Sequence, residues 1–149
     1  MPALFRGIDW VTMGVTFAVV WVVYYICLAP EVTLRDSGEL CTASYYAGIP
    51  HPPGYPFWTI YTWFWTVLVP FRNIAWRVAL AEASTAAMAT GVVAFMVSRG
   101  SAMLMEGIHS LKQLTDRQKT AICVVCGVTA GLMLGLSGSM WRQSVAINR

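Results

Sequence analysis

The stretch WVTMGVTFAVVWVVYYICL, residues 10–28, decides the fold class of this protein, because it runs 19 residues without a charge or a proline. A helix needs about 20 apolar residues to cross a bilayer. Three further apolar stretches follow, at residues 55–71, 76–98 and 120–141. Over all 149 residues, 57% are hydrophobic and 11% are charged, which is too apolar for a soluble domain of this size. The sequence therefore predicts an all-α integral membrane protein with three to four transmembrane helices.

We expect one membrane domain over residues 1–149, with a polar, proline-rich loop at 29–54 between the first two helices. The stretch at 55–71 is short, rich in aromatic residues and closed by Pro70, so it either spans the membrane or lies in the interface. Residues 99–119 place apolar residues among charged ones at helical spacing, which predicts a short amphipathic helix on the membrane surface. Thr115 or Asp116 is expected to cap the start of the last helix.

Charge gives little information about orientation or partners. In a four-span arrangement, each side of the membrane carries five of the 10 lysines and arginines, so the positive-inside rule favours neither orientation. The net charge of +3 is small and spread among the loops, without a basic run. We therefore expect contact with membrane lipid and no binding of nucleic acid.

Small residues recur at helical spacing in two of the predicted helices. The last helix has glycines at every fourth position, at Gly127, Gly131 and Gly135. The third helix has small residues at the same spacing, at Ala83, Ala87 and Gly91. Such faces allow helices to approach closely in lipid. Either these two helices pack together, or the glycine face of helix 120–141 binds another membrane protein chain.

The loop at 29–54 contains the polar residues that could perform chemistry, beginning with the run Asp36-Ser37-Gly38-Glu39. In one interpretation, Asp36 and Glu39 form a capping box that starts a short helix. In another, the two carboxylates share one helical face, where they could bind a divalent cation, or one of them could accept a proton from a hydroxyl nucleophile. Arg35 beside them could bind a phosphate. The two interpretations are compatible.

The run HPPGYP, residues 51–56, predicts a rigid element, because prolines fix φ and Gly54 permits a turn. This stiffness would position His51. The imidazole could bind phosphate, a metal or a carboxylate, or it could simply hold loop carbonyls.

Three runs resemble a known family: LRDSGEL at 34–40, AGIPHPPGYP at 47–56 and LVPFRNIAWRV at 68–78. They are similar to the N-terminal signature of the protein O-mannosyltransferase-like membrane glycosyltransferases, which have the architecture of the GT-C superfamily. The similarity is close over roughly residues 28 to 80 and extends more loosely to SGSMWRQSVA at 137–146. It implies a multi-span helical enzyme that takes a sugar from a lipid-linked or similar donor.

The resemblance also implies roles for single residues. Asp36 matches the essential acid of the first non-cytoplasmic loop and would activate the acceptor hydroxyl, with Glu39 supporting it or a divalent cation. Arg35, His51 and Tyr55 would bind the substrate, the first two at the donor phosphate. The loop would then face away from the cytoplasm, and we expect a bacterial inner membrane.

Two functions follow from these features. The first is the N-terminal membrane portion of a glycosyltransferase-like protein, incomplete on its own because three or four helices supply few walls for a ligand site. The alternative is a non-catalytic accessory subunit of a larger membrane complex, of the respiratory or photosynthetic type. Glu82, an acid inside an apolar stretch, is a further functional candidate.

Overall fold

The computed structural model describes residues 5–32, 36–51 and 54–145, apart from the side chain of Ser110. The described residues form helices and connecting loops, without a strand, which confirms the predicted all-α class. The helices are α1 (Gly7–Cys27), α2 (Ser37–Tyr46), α3 (Pro56–Leu68), α4 (Ile74–Gly107), α5 (Asp116–Gly135) and α6 (Gly138–Val145), with a 3-10 helix at His109–Gln113. Within the described part of the chain, α1, α4 and α5 are long and apolar enough to cross a membrane.

Helix α3 is too short to be a fourth span. Its 13 residues measure about 20 Å, against about 30 Å for the hydrocarbon core. The chain also returns to where it left α1, because the Asn73 side-chain amide donates to the Pro30 carbonyl at 2.7 Å. A connection that begins and ends at one place makes no net crossing, so we expect the aromatic stretch to lie in the interface rather than to span.

A second hydrogen bond agrees with three crossings. The Ala29 backbone N–H, just after α1, donates to the carbonyl of Val145 in α6 at 2.9 Å. Three crossings bring the segment after α5 to the side on which α1 ends, whereas four would place it on the other side.

The chain divides into two compact units, and the long helices α1 and α4 contribute residues to each. The first unit contains the chain up to Val20 together with Ala87–Ser137, and the second contains Trp21–Ala86 and the chain from Gly138.

In the first unit, the glycines of α5 receive side chains from α1 and α4. A Cβ atom on Gly131 would lie 2.6 Å from Thr16 Cγ2 and 2.8 Å from the Thr90 carbonyl oxygen. A Cβ atom on Gly127 would lie 2.7 Å from the carbonyl oxygen of Ala94. Since real Cβ atoms do not approach so closely, only glycine fits at either position.

Threonines make this contact apolar. The hydroxyl of Thr12 donates to the Ile8 carbonyl at 2.8 Å, and that of Thr16 donates to the Thr12 carbonyl at 2.9 Å. Each hydroxyl is therefore satisfied within its own helix, and the methyl group faces a glycine of α5. Such interlocking is a main source of helix association in lipid.

The face that α4 presents to these glycines differs from expectation. The α4 residues against the glycines of α5 are Thr90, Ala94 and Ser98, whereas Gly91 faces Met13 and Phe17 of α1. The difference follows from helix geometry, because Gly91 is rotated about 100° from Thr90 around the helix. Helices α4 and α5 thus pack together within the chain, and the binding of another membrane protein chain through the glycine face stays a prediction.

The segment at 99–119 also differs from expectation, because α4 continues through it to Gly107 before the 3-10 helix. Buried Ala102 and Met105 hold this extension against Cys123 of α5. The predicted cap of the last helix is confirmed: the Thr115 hydroxyl accepts from the Gln118 backbone N–H, and the Gln118 side chain accepts from the Thr115 backbone N–H in return.

Candidate functional site

Helix α2 lies in the second unit and begins directly after Asp36, but the predicted capping box does not form. The Asp36 side chain makes no capping hydrogen bond, and its backbone (φ −80°, ψ 8°) lies outside the extended region that a capping residue adopts. Its carboxylate is exposed and has no hydrogen-bond partner among the described residues. Asp36 therefore stands at the start of the helix, and no described residue occupies its oxygens.

Glu39 does not take part in a capping box, because it binds a residue further along the chain. Its Oε1 accepts from the His51 backbone N–H at 2.6 Å, and its Oε2 lies 3.0 Å from His51 Nδ1. These two contacts, which we call the Glu39–His51 clasp, tie the start of α2 to the proline-rich run. The other ring nitrogen of His51, Nε2, has no hydrogen-bond partner among the described residues.

The clasp lowers the pKa of Glu39. The backbone N–H of His51 and then its ring nitrogen hold the pKa of Glu39 below its ordinary value. Both side chains are exposed, so this carboxylate is charged at neutral pH and in contact with water.

The proline-rich run turns as predicted. Gly54 has φ +71°, a conformation that favours glycine, and its N–H donates to the His51 carbonyl at 2.9 Å. The Tyr55 ring meets the His51 ring edge to face, with 6.3 Å between centroids. Tyr55 thus lies beside the clasp, and its role in substrate binding stays a prediction, whereas Arg35 lies outside the described residues.

Helices α2 and α3 pack through hydroxyl groups. Ser44 and Thr62 are both buried and lie 2.8 Å apart, oxygen to oxygen. Helix α2 ends at Ala47, whose φ of 51° lets the Gly48 N–H bind the Ala43 carbonyl at 2.8 Å. These contacts hold α2 in place, and with it Asp36 and Glu39.

Glu82 of α4 lies close to residues of α3 and α2. Its Oε1 accepts from the Trp58 indole N–H of α3 at 3.0 Å. Burial, and secondly the negative charge of Glu82, raises the pKa of the Cys41 thiol in α2 to about 11. An acid inside an apolar stretch was the sequence signal for Glu82, but nothing in the sequence indicated Trp58 or Cys41 as its neighbours.

A cleft of about 740 Å³ runs beside α2 on another face. Its lining includes Glu31, Thr42, Tyr45, Tyr46 and Asn73. The mixture of aromatic rings and hydrogen-bonding groups is typical of ligand sites.

The described residues do not assemble a site for a divalent cation. They contain no group of three histidine, cysteine, aspartate or glutamate side chains able to hold a metal. Besides Glu39, whose oxygens contact His51, Asp36 is the other carboxylate at the start of α2 among the described residues.

Taken together, these features define a class of protein: a helical integral membrane protein with three candidate spans and an acid-bearing loop after the first of them. The chain matches the family model described as the N-terminal domain of the protein O-mannosyl-transferase TMEM260, over residues 36–148. This match covers most of the chain, so the protein belongs to that family.

Two curated relatives agree. The mouse protein O-mannosyl-transferase TMEM260 is 35% identical over 140 residues, which are 89% of this chain and 20% of the mouse protein. The Dictyostelium discoideum protein O-mannosyl-transferase tmem260 is 27% identical over 71 residues, covering 46% of this chain and 9% of the relative. The chain therefore spans about a fifth of the mouse relative's length, and the matched part spans less of the Dictyostelium relative. No solved structure gives a significant match.

Proposed function

We propose that this chain provides the catalytic loop of a membrane glycosyltransferase, one that transfers mannose from a lipid-linked donor to a hydroxyl group of a protein. The family supports the reaction class, and the names of the relatives support the sugar and the acceptor. The observation that carries the proposal is the free carboxylate of Asp36 at the start of α2, beside the Glu39–His51 clasp.

In the proposed reaction, the acceptor oxygen forms a bond to the anomeric carbon of the sugar while the bond from that carbon to the donor phosphate breaks. Asp36 accepts the proton of the attacking hydroxyl, and the lipid phosphate leaves with the bonding electron pair. Exposure suits Asp36 to this role, because the carboxylate must be charged and reachable.

Four further residues take supporting roles in this proposal. Arg35 and His51 bind the donor phosphate, His51 through Nε2 because Nδ1 faces Glu39. Tyr55, against the His51 ring, shapes the same pocket. Glu39 acts through His51 and is a positioning residue.

The loop faces away from the cytoplasm in this proposal, as the family resemblance implies. The expected bacterial inner membrane finds no support in the relatives, which are eukaryotic. We also propose that parts of the protein outside this chain complete the site. Asp36, Glu39 and His51 are all exposed here, whereas small-molecule sites bury most of the ligand.

Replacing Asp36 by Asn tests the catalytic role. The full-length protein in native membranes, supplied with a lipid-linked mannose donor and an acceptor peptide, should lose at least about a hundredfold in rate, since general base catalysis contributes 10²–10⁴-fold. The affinity for the donor should stay within a few fold, because the amide keeps the shape of the carboxyl group.

Asp116→Asn is the matched control, because it makes the same change at an exposed acid in the first turn of α5, in the other unit. It should leave the rate unchanged. Equal transfer by the wild type and Asp36→Asn would overturn the catalytic proposal. It would favour the accessory-subunit alternative, in which the loop only shapes a larger complex.

A further inference from the structure

A second concave site lies in the first unit and has no part in the proposed reaction. It is a cavity of about 280 Å³ formed by the residue before α1, the end of α4, the 3-10 helix and the start of α5. Its lining residues are Arg6, Ala102, Met105, Glu106, Lys112 and Lys119. Three of these six are cations and one is an anion.

The arginine of this cavity is held rigidly. Arg6 Nη2 lies 3.1 Å from Asp9 Oδ1, and Asp9 is fully buried. The Ser98 hydroxyl of α4 donates to the same Asp9 oxygen at 2.7 Å. This arrangement balances part of the Arg6 charge, so the excess positive charge comes from the lysines.

The two lysines are placed by different elements. The Lys119 ammonium, on the first turn of α5, donates to the Lys112 carbonyl of the 3-10 helix at 3.1 Å. The Lys112 ammonium makes no ion pair among the described residues, and Glu106 makes none there either. One ammonium is therefore fixed at the cavity, and the other is free to bind an anion.

The floor of the cavity is apolar. Ala102 and Met105 are buried against Cys123, and Leu111 and Leu114 pack on the same cluster. The apolar side chains of Leu104 and Ile108 nearby are 66% and 46% exposed. Positive groups above an apolar floor match the boundary between the headgroup of a phospholipid and its acyl chains.

We propose that this cavity binds the phosphate-bearing headgroup of an anionic membrane lipid. Lys112 and Lys119 contact the phosphate, Arg6 adds a donor at its edge, and the glycerol part of the lipid rests on Ala102 and Met105. The apolar floor favours a lipid over free phosphate, which would use the cations alone. The excess positive charge favours an anionic lipid over a zwitterionic one.

Binding of short-chain lipids to the purified full chain in a neutral detergent tests the proposal, with bound lipid counted by native mass spectrometry. Dioctanoyl phosphatidylglycerol should bind at least tenfold tighter than dioctanoyl phosphatidylcholine. Lys112→Gln should weaken phosphatidylglycerol binding roughly fivefold, and Lys112→Gln with Lys119→Gln about twentyfold, from the charge lost near the lipid. Lys112→Gln removes no hydrogen bond that this side chain makes among the described residues, so its fold should be intact.

Arg117→Gln is the control, because it loses the same charge on the first turn of α5 but does not line the cavity. It should bind phosphatidylglycerol like the wild type. Weakening as large as that of Lys112→Gln would overturn the proposal, since any surface charge would then serve. Equal binding of phosphatidylcholine would also overturn it, as would displacement of the lipid by inorganic phosphate at matching concentration.

Discussion

Glu39 uses both carboxylate oxygens on His51, twelve positions away, instead of capping its own helix. A charged carboxylate that accepts a backbone N–H and faces a ring nitrogen holds a histidine in one orientation without burying it. The cost is that the clasp depends on the charge of an exposed acid.

That dependence predicts a pH effect on stability. Because the pKa of Glu39 is lower in the folded protein, the stabilising effect of its charge is fully present above the ordinary value of 4.5 and is lost as the pH falls through the lowered value. Glu39→Gln should therefore lower the melting temperature at pH 7 and have progressively less effect below pH 4.5. Thermal unfolding in detergent across this range measures it.

Glu106→Gln is the comparison for this experiment, because Glu106 is exposed and makes no ion pair among the described residues. Its melting temperature should not differ from that of the wild type in a way that disappears at low pH. A gap for Glu39→Gln that stays constant down to pH 3 would mean that the carboxylate charge contributes nothing to the clasp.

Local pattern predicts residues such as these only in part. The cap at Thr115 and Gln118 follows from residues three apart, and the turn at Gly54 follows from glycine and its neighbouring prolines, so both could be predicted. Asp36 and Glu39 have the same local form as a capping box. Their outcome depends on His51, which competes for Glu39 and is brought near only by the folded loop.

Among the elements, α5 owes its position to its three glycines. Each glycine leaves a notch, a gap without a side chain, that residues of α1 and α4 fill. The threonines opposite them bind their own helix through the hydroxyl and present a methyl group, so the contact needs no polar partner. A glycine stripe in a sequence thus predicts close packing, but the identity of the partner face depends on rotation around the facing helix.

Gly131→Ala should destabilise the first unit. The new methyl group would lie 2.6 Å from Thr16 Cγ2 and 2.8 Å from a backbone oxygen that cannot move aside. Overpacking of this kind costs about 1–3 kcal/mol, so the melting temperature should fall by several degrees.

Gly100→Ala is a matched control, because it makes the same change in α4 where nothing lies within 4 Å of the added Cβ atom. It should hold or slightly raise the melting temperature, since alanine is the better helix former. A fall for both variants would point to a general sensitivity of the helices to methyl groups rather than to the notch.

Apolar runs alone predicted the existence of the long helices. They placed the end of α4 near residue 98, because charged Arg99 and Glu106 interrupt the apolar pattern. The helix continues because arginine and glutamate are both compatible with a helical backbone. In addition, Ala102 and Met105 pack against Cys123. That partner comes from a distant part of the chain.

For the molecule as a whole, the hydrogen bond between Asn73 and Pro30 indicates that the segment between them makes no net crossing of the membrane. The aromatic stretch between them is apolar enough to suggest a span. It is instead a short helix that packs on α2 and on α4, with Tyr61 donating to the Ala81 carbonyl at 3.0 Å.

This topology predicts the labelling of single cysteines. In a background without native cysteines, cysteine at Glu31 and at Phe71 should react with a membrane-impermeant maleimide from the same side of sealed vesicles, because the segment between them makes no net crossing. Cysteine at Gln113, beyond α4, should react from the opposite side. Reaction of Glu31 and Phe71 positions from opposite sides would show that α3 spans and that four crossings are made.

The closed return from Pro30 to Asn73 also bears on how such a protein can change over evolutionary time. A segment whose two ends meet can be exchanged, lengthened or lost as one cassette, and the helices on either side keep their direction through the membrane. The stretch that holds the candidate site can therefore diverge in sequence while the scaffold around it stays the same.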